Sequence, residues 1–272
     1  MEQTNKCLVV GLQDTGKSSY IAAFWAIERD GNSGHILSFF KRPDNTKYLD
    51  EIGNNWLSQE VVNRSSMLEK ELEFSLKHKE SSSIIKLAIP DFKGERYKRV
   101  LQNETPSEIA KWLDECDRVL FFLPPTSEKV FNEEIGVEPR EGADIKHAQD
   151  FNVDEIEPWI QNLELLKYIY EEKGDVKISF CVSKWDTLMS KKISVRNWIE
   201  QNHLFFYTYI QHHFSNIEFF GVSAQGLDYG RRGPLSEDIV SELTDEGKRA
   251  YISSGTDKDY DITKPLAWLL EE

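Results

Sequence analysis

Apolar positions along the chain follow two periods. Lys6–Val10, Arg118–Leu123 and Val176–Val182 are short, nearly unbroken apolar runs, the pattern of buried strands, and Ile217–Val222 is another strand of this kind. Glu71–Lys79 instead alternates Leu72, Phe74 and Leu76 with charged residues, which predicts a half-exposed strand. It leads through the polar Lys77–Ser83 turn into a strand at Ile84–Ile89, so the pair predicts a hairpin. Helical spacing appears at Ser18–Glu28, where Tyr20, Ile21, Phe24 and Ile27 share a face, and again at Lys47–Trp56, Ser107–Asp114, Val153–Glu172 and Ser194–His213. A final short helix is predicted at Thr263–Leu270, with Thr263 as cap and Pro265 in the first turn. Residues 126–153 are charged, contain glycine and lack periodicity, so they predict a long loop or insertion. Residues 226–261 are polar, with Arg231-Arg232-Gly233-Pro234 marking a loop.

Strands alternating with helices predict an α/β layer fold with a mostly parallel sheet, to which the hairpin adds one antiparallel edge strand. In such folds ligands gather at the carboxyl ends of the strands. The strand ends therefore decide what the chain can do.

The first strand runs into Gly11-Leu-Gln-Asp14-Thr15-Gly16-Lys17-Ser18, the spacing G-x-x-x-x-G-K-S of a phosphate-binding loop. Its glycines let backbone N–H groups converge on a β-phosphate, with Asp14, Thr15 and Ser19 in the same wrap. Lys17 would reach the β- and γ-phosphates, the Ser18 hydroxyl would hold Mg²⁺, and the following helix points its positive end at the anion. The strand before Asp91-Phe-Lys-Gly94 places a carboxylate for Mg²⁺ and a glycine N–H for a γ-phosphate. A third strand ends Ser183-Lys184-Trp185-Asp186, where the Asp186 carboxylate would accept from guanine N1–H and N2–H₂ while the Lys184 stem covers the ring. Adenine lacks both donors in that arrangement. The last strand ends Ser223-Ala224, whose backbone N–H groups would meet the guanine carbonyl oxygen.

In order and context these motifs, Gly11–Ser18, Asp91–Gly94, Ser183–Asp186 and Ser223–Ala224, resemble the translation-factor-like class of P-loop GTPases across residues 6–225. Tyr48-Leu-Asp-Glu-Ile…Trp56-Leu, the Pro-Asp-x-x-Gly-Glu step and the terminal Pro265-Leu-Ala-Trp-Leu-Leu are similar to the prokaryotic double-GTPase families of conflict and defence systems. The resemblance implies a three-layer P-loop NTPase fold with helices on both faces of the sheet. It also implies one GTPase-like domain over 1–272, with an insertion at 126–153 and a C-terminal extension at 226–272. The implied activity is hydrolysis of GTP to GDP and phosphate with Mg²⁺, in a switch that answers to a protein partner or effector.

Three departures from the class pattern shape that expectation. Ser183 replaces the usual asparagine or threonine, with shorter reach toward the phosphate loop, so affinity falls while base choice survives. Glu95 stands where many members place a water-orienting glutamine; its charge beside the γ-phosphate implies slow or partner-stimulated turnover, and the plainer alternative is a solvated turn residue. The first-switch ligand of Mg²⁺ is expected at Ser65, or else Ser66, in a long interval between Ser19 and Glu71. A catalytically weak scaffold that binds GTP or GDP, and a P-loop ATPase or kinase, stand as alternatives.

Composition narrows the classes further. With 33 basic and 47 acidic residues the net charge is −14, which argues against a direct nucleic-acid binder. The three cysteines, Cys7, Cys116 and Cys181, are far apart and form no CxxC pair, so neither a disulfide framework nor a zinc site is expected. No apolar stretch approaches a membrane span and the N-terminus lacks a signal-peptide core, so a soluble cytoplasmic protein is expected. Many GTPases pair across their nucleotide faces, though nothing in the residues specifies a symmetric interface. Arg96, Lys98 and Arg99 read as a basic turn, and His212-His213 point about 100° apart on a helix, a poor geometry for metal binding.

Overall fold

The computed structural model describes residues 4–12, 14–31, 33–60, 72–89, 107–125, 157–188, 192–226 and 245–271. Eight strands form one sheet in the order β2-β3-β4-β1-β5-β6-β7-β8. They are β1 (Thr4–Val10), β2 (Leu37–Lys41), β3 (Leu72–His78), β4 (Ile84–Ile89), β5 (Arg118–Leu123), β6 (Lys177–Ser183), β7 (Ile217–Ser223) and β8 (Tyr251–Ser253). The helices are α1 (Lys17–Glu28), α2 (Lys47–Leu57), α3 (Ser107–Glu115), α4 (Pro158–Lys173), α5 (Val195–Asn202), α6 (Leu204–His213), α7 (Glu246–Arg249) and α8 (Lys264–Trp268).

Five neighbouring strands, β4, β1, β5, β6 and β7, pair in parallel. Their apolar runs split by alternation onto two faces. Leu8, Val10, Val119, Phe121, Ile178, Phe180 and Phe219 pack with Trp159, Leu165, Trp198 and Phe206 of α4–α6. Cys7, Val9, Leu120, Phe122, Cys181, Phe220 and Val222 pack with α1, α2 and α8. Helices on both faces explain why these strands tolerate so few polar positions: a side chain on either face meets apolar neighbours. The three layers expected from the sequence are therefore present. The three cysteines are buried neutral thiols within these layers, and burial pushes the Cys116 thiol up to about 12.

The edges differ from the sequence reading. The predicted hairpin exists, but β3 is not the edge strand, because β2 pairs antiparallel to it. At the other edge β8 pairs antiparallel to β7. β2 carries only Leu37 fully buried, and β8 is three residues long, so neither presents a readable alternation. The single helix predicted over Ser194–His213 is two, broken at His203, which leaves helical conformation at φ −142° and ψ 54°. The break seats the His203 ring on Trp159, with centroids 3.4 Å apart and planes 9° from parallel. Thr263 precedes α8 as expected but does not cap it with its side chain. Its hydroxyl instead donates to Asp261 Oδ1 at 2.5 Å and accepts from the Leu37 backbone N–H at 3.2 Å, tying the start of β2 to the chain's C-terminal segment. The predicted loop at 126–153 and Arg231-Arg232 lie outside the described residues, as do Arg96, Lys98 and Arg99.

The helix starts follow local chemistry. The Glu157 carboxylate accepts from the N–H groups of Trp159 and Ile160 ahead of Pro158, and Ser194 Oγ accepts from Asn197 N–H. Gly53 lets α2 lie close on α1, since a Cβ there would stand 2.9 Å from Trp25 Cδ1. Among the described residues no helix is long and apolar enough to cross a membrane.

A polar cluster closes the end of α1. Glu28 is fully buried, accepts from Ser33 Oγ at 2.8 Å and pairs with His35 Nδ1. Burial pulls the His35 pKa down, but the hydrogen bond and charge of Glu28, with Asp261 behind it, prevail over burial and over Lys79, and the net shift is upward. A histidine with a raised folded-state pKa stabilises below its unfolded value and loses that contribution as pH rises through the folded one. Thermal stability should therefore fall from about pH 6.5 upward more steeply in the wild type than in His35→Gln. Melting curves across that range check it; parallel pH profiles would refute the assignment.

Candidate functional site

The loops at the carboxyl ends of β1, β6 and β7 come together. The turn from β1 to α1 curls through Gly11 at φ 152°, Asp14 at φ 62° and Gly16 at φ 81°, conformations that favour residues with little or no side-chain hindrance. The two glycines are also required by space. A Cβ on Gly11 would stand 2.8 Å from Thr15 Oγ1 and 2.9 Å from the Phe122 carbonyl oxygen. One on Gly16 would stand 2.8 Å from Ser183 Cβ and 3.2 Å from its Oγ.

Inside the curl, buried Thr15 donates from Oγ1 to the Leu12 carbonyl at 2.8 Å. The Lys17 ammonium donates to the carbonyls of Gly11 and Leu12, and to Thr15 Oγ1 at 3.2 Å. The lysine thus cross-links the ring of the loop from within. Ser18 and Ser19 follow in the first turn of α1, which Gly16 starts without any side-chain cap or first-turn acidic residue. This is a turn with oriented N–H groups and a cation, an arrangement able to hold an anion.

Strand β6 delivers the second part. Ser183 is 3% exposed and its hydroxyl finds no hydrogen-bond partner among the described residues, although it packs on Gly16. Lys184 adopts the left-handed conformation at φ 50° and is exposed, which swings the chain so that Trp185 turns inward and Asp186 outward. Trp185 occupies the space over Gly221 of β7: a Cβ there would lie 2.3–2.6 Å from its ring atoms. Its ring also meets Trp198 edge-on at 5.9 Å, and Trp198 continues to Trp159. Asp186 Oδ1 accepts from Ser223 Oγ at 2.9 Å, and Ser223 Oγ in turn accepts from Gly226 N–H at 3.2 Å. The carboxylate is therefore held at the mouth of the last loop, where Ala224 follows.

Of the sequence-predicted residues, the structure brings together Gly11, Asp14, Thr15, Gly16, Lys17, Ser18 and Ser19 with Ser183, Lys184, Asp186, Ser223 and Ala224. Asp91, Gly94, Glu95, Ser65 and Ser66 lie outside the described residues. Among the described residues no group of three His, Cys, Asp or Glu side chains could hold a metal ion. Sequence reasoning missed two contributors. Gly221 looks like any glycine in an apolar strand, and only its position opposite Trp185 makes it necessary. Trp56 enters the sequence reading only through the Tyr48…Trp56-Leu stretch, yet its indole N–H donates to the Ala224 carbonyl at 2.6 Å.

The chain matches the family model Double-GTPase 1 over residues 8–269, nearly its whole length, and belongs to that family. The family comprises P-loop GTPases of prokaryotic double-GTPase systems, and the chain is a GTP hydrolase of that class. No curated protein matches it.

The Gly221–Trp185 contact makes a specific prediction. Gly221→Ala drives a methyl group into the indole, so Trp185 must leave its seat and carry Asp186 with it. Overpacking of this kind costs about 1–3 kcal/mol of stability. Guanine-nucleotide affinity should fall by more than that stability loss alone conveys, because the residual folded protein has a displaced carboxylate. Urea unfolding alongside nucleotide titration checks it; unchanged affinity in the folded fraction would refute it.

Proposed function

We propose that this Double-GTPase 1 family member is a guanine-nucleotide switch that binds GTP with Mg²⁺ across the loops after β1, β6 and β7. Hydrolysis to GDP and phosphate then resets it. The observation that carries the proposal is the seating of Ser183 on Gly16, with Asp186 fixed by Ser223 one turn further on. Together they support one ligand that has phosphates at the first loop and a base at the other two.

In this reading Gly11, Asp14, Thr15, Gly16, Ser18 and Ser19 wrap the phosphates. Lys17 exchanges its loop carbonyls for phosphate oxygens and stabilises the charge that develops as the γ-phosphoryl group leaves. The Asp186 carboxylate accepts from guanine N1–H and N2–H₂, the Lys184 stem covers the base, and the Ser223-Ala224 loop meets the carbonyl oxygen. Ser183 joins the base loop to the phosphate loop by packing. Ser18, Asp91 and Ser65 are oxygen donors only, the hard set that suits Mg²⁺, and would hold it. When bound, the ion supplies charge neutralisation between the phosphates. Gly94 would contact the γ-phosphate, and Glu95 would orient the attacking water.

A negative Glu95 beside the γ-phosphate raises the cost of the step unless a cation offsets it. Intrinsic turnover is accordingly slow, and a protein partner that supplies such a cation accelerates it. The family's place in prokaryotic double-GTPase systems supports such a partner, and a role in defence is the process that fits the resemblance.

Base competition and single-turnover hydrolysis test the reading together. Wild type should prefer GDP over ADP and XDP by at least about 100-fold, since a site built around buried hydrogen bonds rejects bases that leave them unpaired. Asp186→Asn should reverse the preference toward XDP, whose second carbonyl accepts from the new amide. Lys17→Ala should abolish phosphate release. A preference for ADP would overturn the guanine assignment, and wild-type protein that binds GTP without releasing phosphate at any partner concentration would make it a scaffold.

A further inference from the structure

Trp56 and Arg249 form a buried connection between α2, the C-terminal segment and the loop after β7. Arg249 is 2% exposed, and its guanidinium stacks on the Trp56 ring with Cζ 3.8 Å from the centroid. Its Nη1 donates to the carbonyls of Trp56 at 3.0 Å and Leu57 at 3.3 Å, at the C-terminal end of α2. A cation there meets the negative end of the helix and satisfies carbonyls that have few partners within it. No carboxylate is hydrogen-bonded to Arg249 among the described residues, and its Nε lacks a partner there. Burying a guanidinium in this way is costly, and an apolar side chain of similar size would fill the space at lower cost. What the guanidinium provides is orientation: it clamps the plane of the indole and the backbone that carries it.

The clamped indole donates from Nε1 to the Ala224 carbonyl at 2.6 Å. The described peptide bonds are all trans, so this bond turns the Gln225 N–H the opposite way and sets the plane of that peptide. On its other side the same loop is held by Ser223 Oγ, which donates to Asp186. The loop is thus pinned between the base-selecting carboxylate and an indole from a different element.

We propose that Trp56, oriented by Arg249, is a positioning residue that sets the Ala224 loop for recognition of the six-position oxygen of guanine. The inference rests on the guanine-nucleotide reading above and adds a specificity determinant to it. Asp186 reads the N1–H and N2 edge of the base, while Trp56 fixes the Ala224–Gln225 peptide and so the course of the loop whose N–H groups face the oxygen at position six. The two contributions are separable by ligand chemistry.

The test uses the 272-residue chain and compares GDP with two analogues, with ADP and XDP as controls on the guanine reading. 6-Thio-GDP keeps both donors for Asp186 but replaces the oxygen with sulfur, a weaker acceptor; IDP keeps the oxygen and loses the N2 amine. In Trp56→Phe the preference for GDP over 6-thio-GDP should shrink by about threefold to tenfold, the worth of one well-placed hydrogen bond. The preference for GDP over IDP should stay at its wild-type value. Arg249→Met should shrink the same first ratio and leave the second, and it alone is read if Trp56→Phe does not fold. Both ratios falling together would mean a loosened site and would overturn the proposal, as would neither moving. If wild type itself shows no preference for GDP over ADP, the guanine reading fails and the proposal with it. A wild type that prefers GDP, with Asp186→Asn shifting it to XDP and no selective change at Trp56 or Arg249, sinks the proposal alone.

Discussion

The indole of Trp185 lies where a side chain on residue 221 would stand. That contact depends on the absence of a Cβ from Gly221, and much of the site depends on the contact. With Trp185 sunk into the core beside Trp198, the left-handed Lys184 and the outward Asp186 have little freedom left. Aromatic pairs of this kind contribute about 0.5–1.5 kcal/mol each beyond the area they bury. The chain of rings from Trp185 through Trp198 to Trp159 and His203 therefore acts as a foundation for a single carboxylate.

A second close approach, Ser183 on Gly16, links that foundation to the phosphate loop. Parallel pairing makes both approaches geometrically natural. Ser183 stands beside Val222 in the β6–β7 ladder, and Val182 beside Gly221, so the loops leaving these strands emerge side by side. On the opposite face α1 carries Lys17 from the end of β1, two strands away from β6 in the sheet, and both helical layers bury the strands they cross. A parallel sheet covered on both faces thus brings distant segments of sequence to one edge, where their backbone and side-chain groups can act on one ligand.

The elements that escaped the sequence reading share a cause. β2, β8 and the break at His203 owe their form to neighbours: β2 to β3 and Thr263, β8 to β7, His203 to the face of Trp159. The C-terminal segment shows the same dependence. Its polar stretch has no periodicity, yet Tyr20 donates to the Ile262 carbonyl, and Asp261 accepts from Ile36 N–H, binding that segment to α1 and β2. Arg249 likewise looks like a surface charge in a polar run and becomes a buried clamp only because Trp56 is opposite it.

By itself the sequence determined the five parallel strands, most of the helices around them and the residue spacing of the loops at three strand ends. Those follow from local rules: unbroken apolar runs must be covered on both faces, and a loop such as Gly11–Ser18 needs its glycines, lysine and serine at fixed spacing within one turn. Tertiary structure alone decided which glycine had to be glycine at Gly221, which tryptophan bonds to the loop after β7 at Trp56, and which histidine broke a helix at His203. In each case the deciding partner is remote in sequence or on another element. No pattern within a single segment encodes the close approach of two backbones or the face a ring will meet.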